Sequence, residues 1–91
     1  MELRRRLTIV NQRGLHARAS ARFVTAVAAL PPGTSVKVAK DGHEAAGGSI
    51  LGLMMLGAAK GDTVELIVEG EDAEGVMEEL AGMVTNGFGE D

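Results

Sequence analysis

Short apolar runs separated by turn residues dominate the first third of the chain. Residues 7–10 form a β-branched apolar run, and the polar segment 11–14 ends in a glycine, which predicts a strand followed by a turn. From Ala17 onward the apolar spacing becomes helical, and the Pro-Pro-Gly segment 31–33 stops it. The apolar positions that share one face of this predicted helix are Phe23, Val24, Val27 and Leu30.

The middle of the chain predicts a hairpin and a short helix. Residues 35–38 alternate between apolar and polar side chains, and Asp41-Gly42 is a two-residue hairpin signal that leads into a weak strand at 43–46. Gly47 and Gly48 then form a loop, in which Ser49 is the predicted N-cap of a helix covering residues 50–56.

The last third predicts one strand and one amphipathic helix. Val64, Leu66 and Val68 alternate with positions expected to be polar or exposed. The helical face that follows consists of Ala73, Val76, Met77, Leu80, Ala81 and Val84, with acids at its N-terminal end and Asn86-Gly87 closing it. The order β-α-β-β-α-β-α predicts an open-faced α/β sandwich, and residues 1–91 are expected to form a single domain.

Composition limits the classes of function. The chain has 91 residues, of which 45% are hydrophobic, and it has no cysteine, so disulfides and thiolate metal sites are excluded. Only His16 and His43 could supply imidazole ligands, which makes a structural metal site improbable. No stretch is patterned like a signal peptide or a membrane span, so we expect a cytoplasmic protein.

The net charge of -4 is unevenly distributed. Residues 1–24 hold six arginines and one acid, whereas residues 25–91 hold three lysines and twelve acids. A basic region on an acidic body suggests a specific anionic partner surface or a phosphate. With neither Trp nor Tyr for base stacking, nucleic acid is not expected as a partner.

One histidine lies where the first helix is predicted to begin. In the segment Gly-Leu-His-Ala-Arg-Ala-Ser at 14–20, His16 can act as a nucleophile at neutral pH and form a reactive phosphoramidate. A phosphoryl group there would meet free amides and the positive end of the helix dipole. Arg18 could add a charged hydrogen bond, with Arg13 and Arg22 as competing candidates. Gly14 would let the chain turn sharply and leave room for a partner active site to approach. The alternative for a lone histidine is a structural role, and His43 is expected to be an ordinary surface residue.

The segments NQRGLHARAS at 11–20 and GGSILGLMMLGAAKGD at 47–62 closely resemble the HPr family, the histidine-containing phosphocarriers of the bacterial phosphotransferase system. The resemblance implies a four-stranded antiparallel sheet with three helices on one face. It also implies that His16 takes a phosphoryl group from enzyme I and passes it to a IIA protein or domain, while Arg18 steadies the phosphohistidine. Such a carrier needs no cofactor or metal, works as a monomer and is not a stand-alone enzyme.

The resemblance adds a regulatory role for Ser49, because HPr kinase/phosphorylase phosphorylates the serine at this place in one branch of the family. The short helix after Ser49 has more apolar residues than one face can bury, so some must be exposed for docking partners. We expect Leu53 and Leu56 to lie in the core. The residues expected to contact partners are Ile50, Leu51, Met54, Arg13 and Arg22.

Two positions depart from the usual family pattern. Ala19 replaces the proline that normally follows the arginine and pre-sets the helix start, and Gly48 replaces a bulkier or charged residue before the serine. The alanine variant resembles a nitrogen-type or regulatory branch. Two functions therefore stay open beside each other: a phosphocarrier acting through His16, and a regulatory binding protein acting mainly through the state of Ser49. A small enzyme with a His-Arg site is a third, unsupported by any second acid-base motif.

Overall fold

The structure is a computed structural model that describes residues 1–90. The elements follow the predicted order, with one addition at the end. They are β1 (Glu2–Thr8), α1 (Ala17–Ala28), β2 (Ser35–Lys40), β3 (His43–Ala46), α2 (Ile50–Met55), β4 (Thr63–Glu69), α3 (Ala73–Thr85) and a 3-10 turn (Gly87–Gly89).

The four strands form one antiparallel sheet in the order β1-β4-β2-β3, with three helices against it, so the predicted architecture is confirmed. The hairpin between β2 and β3 turns at Asp41 and Gly42, where φ is 51° and 84°. Two successive residues with positive φ are what a tight hairpin turn compatible with strand twist requires, and Asp-Gly is a favoured pair for it.

The core lies between the sheet and the helices. Alternate residues of the strands point toward it, while Phe23 of α1, Leu53 of α2 and Leu80 of α3 enter it from the other side. The buried strand residues of the core are Leu7, Val36, Val38, Ala45, Val64, Leu66 and Val68. Because α1 packs against both α2 and α3, the start of α1 is held by the whole helical layer.

The first strand differs from its prediction, since it spans Glu2–Thr8 instead of residues 7–10. Its arginines alternate between faces like any strand residues, and acids on neighbouring elements neutralise two of them. Arg4 Nη1 lies 3.0 Å from Glu65 Oε1, and Arg5 Nη2 lies 2.7 Å from Glu78 Oε2. The basic N-terminal region is therefore divided, and Arg4 and Arg5 belong to local ion pairs.

The open face of the sheet holds one buried apolar residue where the strand pattern predicted polar or exposed positions. Ile67 is 5% exposed although it points away from the helical layer. It is the register partner of Arg4 in β1 and of Lys37 in β2, and the aliphatic stems of such long charged side chains cover apolar surface. A central strand can thus bury a residue on its solvent face.

Two helix ends and one core residue also differ from expectation. Helix α1 ends at Ala28, before Leu30, and α2 ends at Met55. Leu53 is fully buried as predicted, but Leu56, at the C-cap of α2, is only partly buried and packs at the margin of the core. A helix of six residues turns only part of its surface inward, so it cannot bury every apolar side chain.

Candidate functional site

His16 is the N-cap of α1, where the sequence placed it. Its backbone is extended, with φ at -74° and ψ at 179°, and its carbonyl accepts the first helical hydrogen bond, from the amide of Ser20 at 2.9 Å. The ring folds back over the first turn, so that Nδ1 accepts from the amide of Arg18 at 3.3 Å. The imidazole thus caps the helix as a Ser or Asp side chain usually does.

The other ring nitrogen meets a carboxylate from the far end of the chain. His16 Nε2 lies 2.7 Å from Glu90 Oε2, and both side chains are largely buried, at 15% and 17% exposure. An ionised carboxylate can only accept, so this contact assigns the ring hydrogen to Nε2. The amide of Arg18 donates to Nδ1, which agrees with a lone pair on that nitrogen.

Three neighbours decide the charge of Glu90. Partial burial pushes its pKa upward, but hydrogen bonds from Asn11 and His16, together with the positive charge of nearby Arg22, outweigh that effect. The pKa of the Glu90 carboxyl therefore lies below its ordinary value. The group is ionised near neutral pH and available as an acceptor.

Asn11 joins the loop before His16 to Glu90. Its side chain is 1% exposed, and Nδ2 donates both to the carbonyl of Gly14 at 2.8 Å and to Glu90 Oε1 at 3.0 Å. Its Oδ1 is buried without a hydrogen-bond partner among residues 1–90. The amide orientation is consistent, because only the NH2 end can face two acceptors.

The 3-10 turn Gly87–Gly89 positions Glu90 beside His16. Phe88 anchors the turn with 4% exposure in the core and a φ of 57°, and its carbonyl accepts from Arg22 Nη1. Sequence reasoning missed Asn11, Phe88 and Glu90 as site components. Phe88 carried a usable signal, because it is one of only two aromatic residues in the chain and a buried aromatic at that end would fix the segment.

Gly14 is required by the chain's own packing. The sequence suggested that it leaves room for a partner to approach, but a Cβ on Gly14 would lie 2.2 Å from the carbonyl oxygen of Ala58. With φ at 59°, Gly14 also has a backbone conformation that favours glycine. The space beside it is filled by the loop between α2 and β4, which corrects the earlier interpretation.

The candidate arginines lie together. Arg13, Arg18 and Arg22 line one open groove with Gln12, Gly89 and Glu90. Arg13, Arg18 and Arg22 are all exposed, and Arg22 is also tied to the 3-10 turn through the carbonyl of Phe88. The groove has a surplus of positive charge next to the imidazole, as an anion-binding surface would.

Ser49 and the apolar residues of α2 are placed as the sequence predicted. Ser49 is the N-cap of α2, and its Oγ accepts from the amide of Gly52 at 2.9 Å. Ile50, Leu51 and Met54 are exposed by 41%, 68% and 41%. Met55, which the sequence analysis did not assign to this surface, is 76% exposed and enlarges it.

The remaining histidine lies apart from this site. His43 is exposed at the start of β3, next to the hairpin turn, as expected. In the part of the chain that the structure describes, no three His, Cys, Asp or Glu side chains are grouped to hold a metal ion. No helix between residues 1 and 90 is long and apolar enough to cross a membrane.

Comparison with known proteins agrees with this geometry. The family model PTS-HPr, described as the phosphotransferase-system HPr component phosphorylation site, matches residues 3–86. Phosphocarrier protein HPr of Cupriavidus necator is 40% identical over 88 residues, which cover 97% of each chain. Phosphocarrier protein NPr of Shewanella violacea is 33% identical over 89 residues, 98% of this chain and 96% of that protein.

Solved structures agree as well. The structure of HPr-C-His from Thermoanaerobacter tengcongensis has a TM-score of 0.89 to this chain at 34% identity, and the match covers 98% of both chains. Family model, full-length relatives and fold all agree. The chain therefore belongs to the HPr family, the phosphocarrier proteins of the phosphotransferase system.

Proposed function

We propose that His16 accepts a phosphoryl group from phosphorylated enzyme I and passes it to a IIA protein or domain. The observation that carries this proposal is the position of His16 at the N-cap of α1, with Nδ1 directed at the amide of Arg18. In the tautomer with hydrogen on Nε2, the lone pair of Nδ1 is the nucleophile, so we place the phosphoryl group on Nδ1.

The helix start suits a phosphorylated Nδ1. The first-turn amides have no carbonyl partner within the helix, and the positive end of the helix dipole favours an anion by roughly 0.3–1 kcal/mol, up to about 2 when partly buried. Arg18 can add a charge-assisted hydrogen bond from the groove beside the ring. A phosphoramidate formed there is reactive enough for the group to move on to an acceptor.

The chain is a carrier in this scheme and needs its partners for catalysis. Phosphoryl transfer depends mainly on positioning and charge stabilisation, and the partner active site can supply what this small site lacks. We place the cycle in the cytoplasm, with residues 1–91 acting as one domain and a monomer, and with no cofactor. Gel filtration with light scattering tests the monomer.

The surface around the site suits protein partners. Ile50, Leu51 and Met54 expose apolar area on α2, and α2 packs beside α1, the helix that His16 caps. Arg13 and Arg22 add positive charge on the groove side. We infer that enzyme I and IIA dock here, the apolar residues supplying contact area and the arginines meeting an acidic surface.

The second function rests on Ser49. Its hydroxyl oxygen caps α2 next to the exposed residue Ile50, so a phosphate on Ser49 would change the charge of the docking surface. HPr kinase/phosphorylase is the proposed modifying enzyme. If Ser49 chemistry dominates, the chain acts mainly as a regulatory binding protein and His16 is used little.

The deciding experiment is incubation with enzyme I and phosphoenolpyruvate. We expect one phosphate per chain that is labile in acid and stable in alkali, and that is absent from His16→Ala. The matched control is His43→Ala, which removes the exposed histidine and keeps the label. Labelling that persists in folded His16→Ala, or is lost in His43→Ala, contradicts the assignment. Absence of acid-labile phosphate in the wild type, with phosphate on Ser49 after a parallel incubation with HPr kinase/phosphorylase and ATP, supports the regulatory function.

A further inference from the structure

The carboxylate of Glu90 is held in place from three directions. Asn11 Nδ2 donates to its Oε1 at 3.0 Å, His16 Nε2 lies 2.7 Å from its Oε2, and the preceding turn is anchored by buried Phe88. Arg22 fixes the same turn through the carbonyl of Phe88. Such a carboxylate is a built part of the site, because each contact comes from a different element of the fold.

The position of this carboxylate has a consequence for the chemistry at the other ring nitrogen. When Nδ1 uses its lone pair to form a bond to phosphorus, the ring keeps its hydrogen on Nε2 and becomes positively charged. An anion 2.7 Å from Nε2 stabilises that charge as it develops. The same anion keeps the ring plane fixed, since a rotated ring would lose the contact.

We propose that Glu90 is a positioning residue for phosphoryl transfer, which orients the ring of His16 and stabilises the positive charge the ring carries while phosphorylated. This inference rests on the proposed function of His16. In the forward step the lone pair of Nδ1 attacks phosphorus, and the bond from phosphorus to the donor atom of enzyme I breaks, its electron pair returning to that atom.

The return step uses the same arrangement in reverse. The bond between phosphorus and Nδ1 breaks, the electron pair returns to Nδ1, and the phosphoryl group goes to the acceptor nucleophile. Nε2 keeps its hydrogen throughout, so neutral His16 is regenerated in the starting tautomer. Because a phosphorylated ring that is also protonated is the better phosphoryl donor, Glu90 favours the state that transfers.

The charges around Glu90 permit this role. Arg13, Arg18 and Arg22 line the groove that Glu90 shares, and the first-turn amides of α1 lie on the Nδ1 side of the ring. The phosphoryl group and the carboxylate are therefore on opposite nitrogens of one imidazole, and the arginines offset their mutual repulsion. Among residues 1–90, Glu90 is the only acid that lines the groove.

The test compares Glu90→Gln with wild type and with Glu79→Gln, which removes an equal charge from an exposed position on α3. We expect Glu90→Gln to slow both transfer from enzyme I and transfer to IIA about tenfold. The expected size is that of losing one charged contact that is partly exposed to solvent. Glu79→Gln retains the wild-type rates. Circular dichroism establishes that each variant is folded.

A pH profile distinguishes this role from a merely structural one. The isolated phosphorylated protein loses phosphate faster as the pH falls, because its ring becomes protonated. Without the carboxylate, protonation needs more acid, so the curve of hydrolysis rate against pH shifts to lower pH in Glu90→Gln. At neutral pH the phosphorylated variant survives longer than wild type.

A separate signal reports on the contact without any phosphoryl chemistry. In unphosphorylated wild type, a hydrogen held between Nε2 and a carboxylate exchanges slowly with water, so we expect a 15N-1H NMR cross-peak from His16 Nε2. The peak persists in Glu79→Gln and is lost in Glu90→Ala. Its absence from wild type overturns the inference, as does a folded Glu90→Gln with wild-type rates and an unshifted pH curve. If this peak is present but His16 is never phosphorylated, the proposed function of His16 is wrong, whereas the contact between Glu90 and His16 is confirmed.

Discussion

The amide of Leu15 donates a hydrogen bond of 3.0 Å to the carbonyl of Ala58. This bond ties the residue before His16 to the loop after α2, the helix with the exposed apolar residues. Gly14 packs against the same carbonyl. The proposed phosphoryl site and the proposed docking surface are therefore joined by a backbone contact and keep a fixed relative position.

Gly14→Ala should break this junction and destabilise the protein by about 2–4 kcal/mol. The new Cβ would lie 2.2 Å from the carbonyl oxygen of Ala58, a backbone atom that cannot rotate away, at a φ of 59°. Urea unfolding followed by circular dichroism measures the loss.

Gly57→Ala is the matched control for this prediction. Gly57 also has a positive φ, 66°, but nothing lies within 4 Å of its virtual Cβ, so only the conformational cost of about 1 kcal/mol applies. Equal losses for the two variants would show that the approach of Ala58 has no energetic importance.

Arg18→Ala should leave the fold intact and slow phosphoryl transfer. The side chain is exposed, so its removal costs little stability, whereas loss of one charged hydrogen bond to the phosphoryl group costs roughly 1.5–3 kcal/mol, about 10- to 150-fold in rate. Stopped-flow or quench assays of both half-reactions measure this. Arg6→Ala, which removes an exposed arginine of β1, is the control. Unchanged rates in Arg18→Ala would show that Arg13, Arg22 or the partner stabilises the phosphoryl group instead.

Ser49→Asp should slow phosphorylation of His16 by enzyme I without lowering thermal stability. Asp is as good an N-cap as Ser and is favoured at a helix start, so the fold is retained, while the negative charge beside Ile50 opposes docking to an acidic partner.

Ser49→Ala distinguishes the effect of an added negative charge from the effect of changing the N-cap of α2. It loses the bond that Oγ accepts from Gly52 and about 1 kcal/mol of stability, but it adds no charge, so its phosphorylation rate stays near wild type. A wild-type rate for Ser49→Asp at low salt, where repulsion is least screened, would rule out the electrostatic account.

Stability should depend on pH through Glu90. Its pKa is lower in the folded protein than its ordinary value of about 4.3, so the ionised form favours the folded state. This stabilisation is fully present above the ordinary pKa. It is lost as the pH falls from the ordinary pKa toward the lower pKa of Glu90 in the folded protein. Chemical unfolding of wild type and Glu90→Gln should therefore differ at pH 7 and converge in acid. A constant difference at every pH would contradict this origin.

Local signals were enough to predict most of the architecture. The Asp41-Gly42 pair, the cap at Ser49 and the apolar spacing of α3 each depend on neighbours within a few positions, and the structure agrees with all three. His16 was also placed correctly, because a helix start is a local feature.

The rest depended on contacts between distant parts of the chain. Glu90 reaches His16 across 74 positions, which no periodicity records. Ile67 is buried because strands on both sides cover it. Strand β1 begins at Glu2 because it pairs with β4 along its whole length, from Glu2 opposite Glu69 to Thr8 opposite Thr63. In each case the tertiary partner, absent from the local pattern, decided the outcome.

The alanine that follows Arg18 gives the site a reporter of its own. Ala19 is the third residue of α1 and fully buried, and its amide has no carbonyl partner within the helix. A proline there would have no amide hydrogen at all. The amide resonance of Ala19 is thus observable at the N-terminal end of α1, where we propose that the phosphoryl group is held. Its chemical shift should report phosphorylation and dephosphorylation of His16, which a proline at this position could not do.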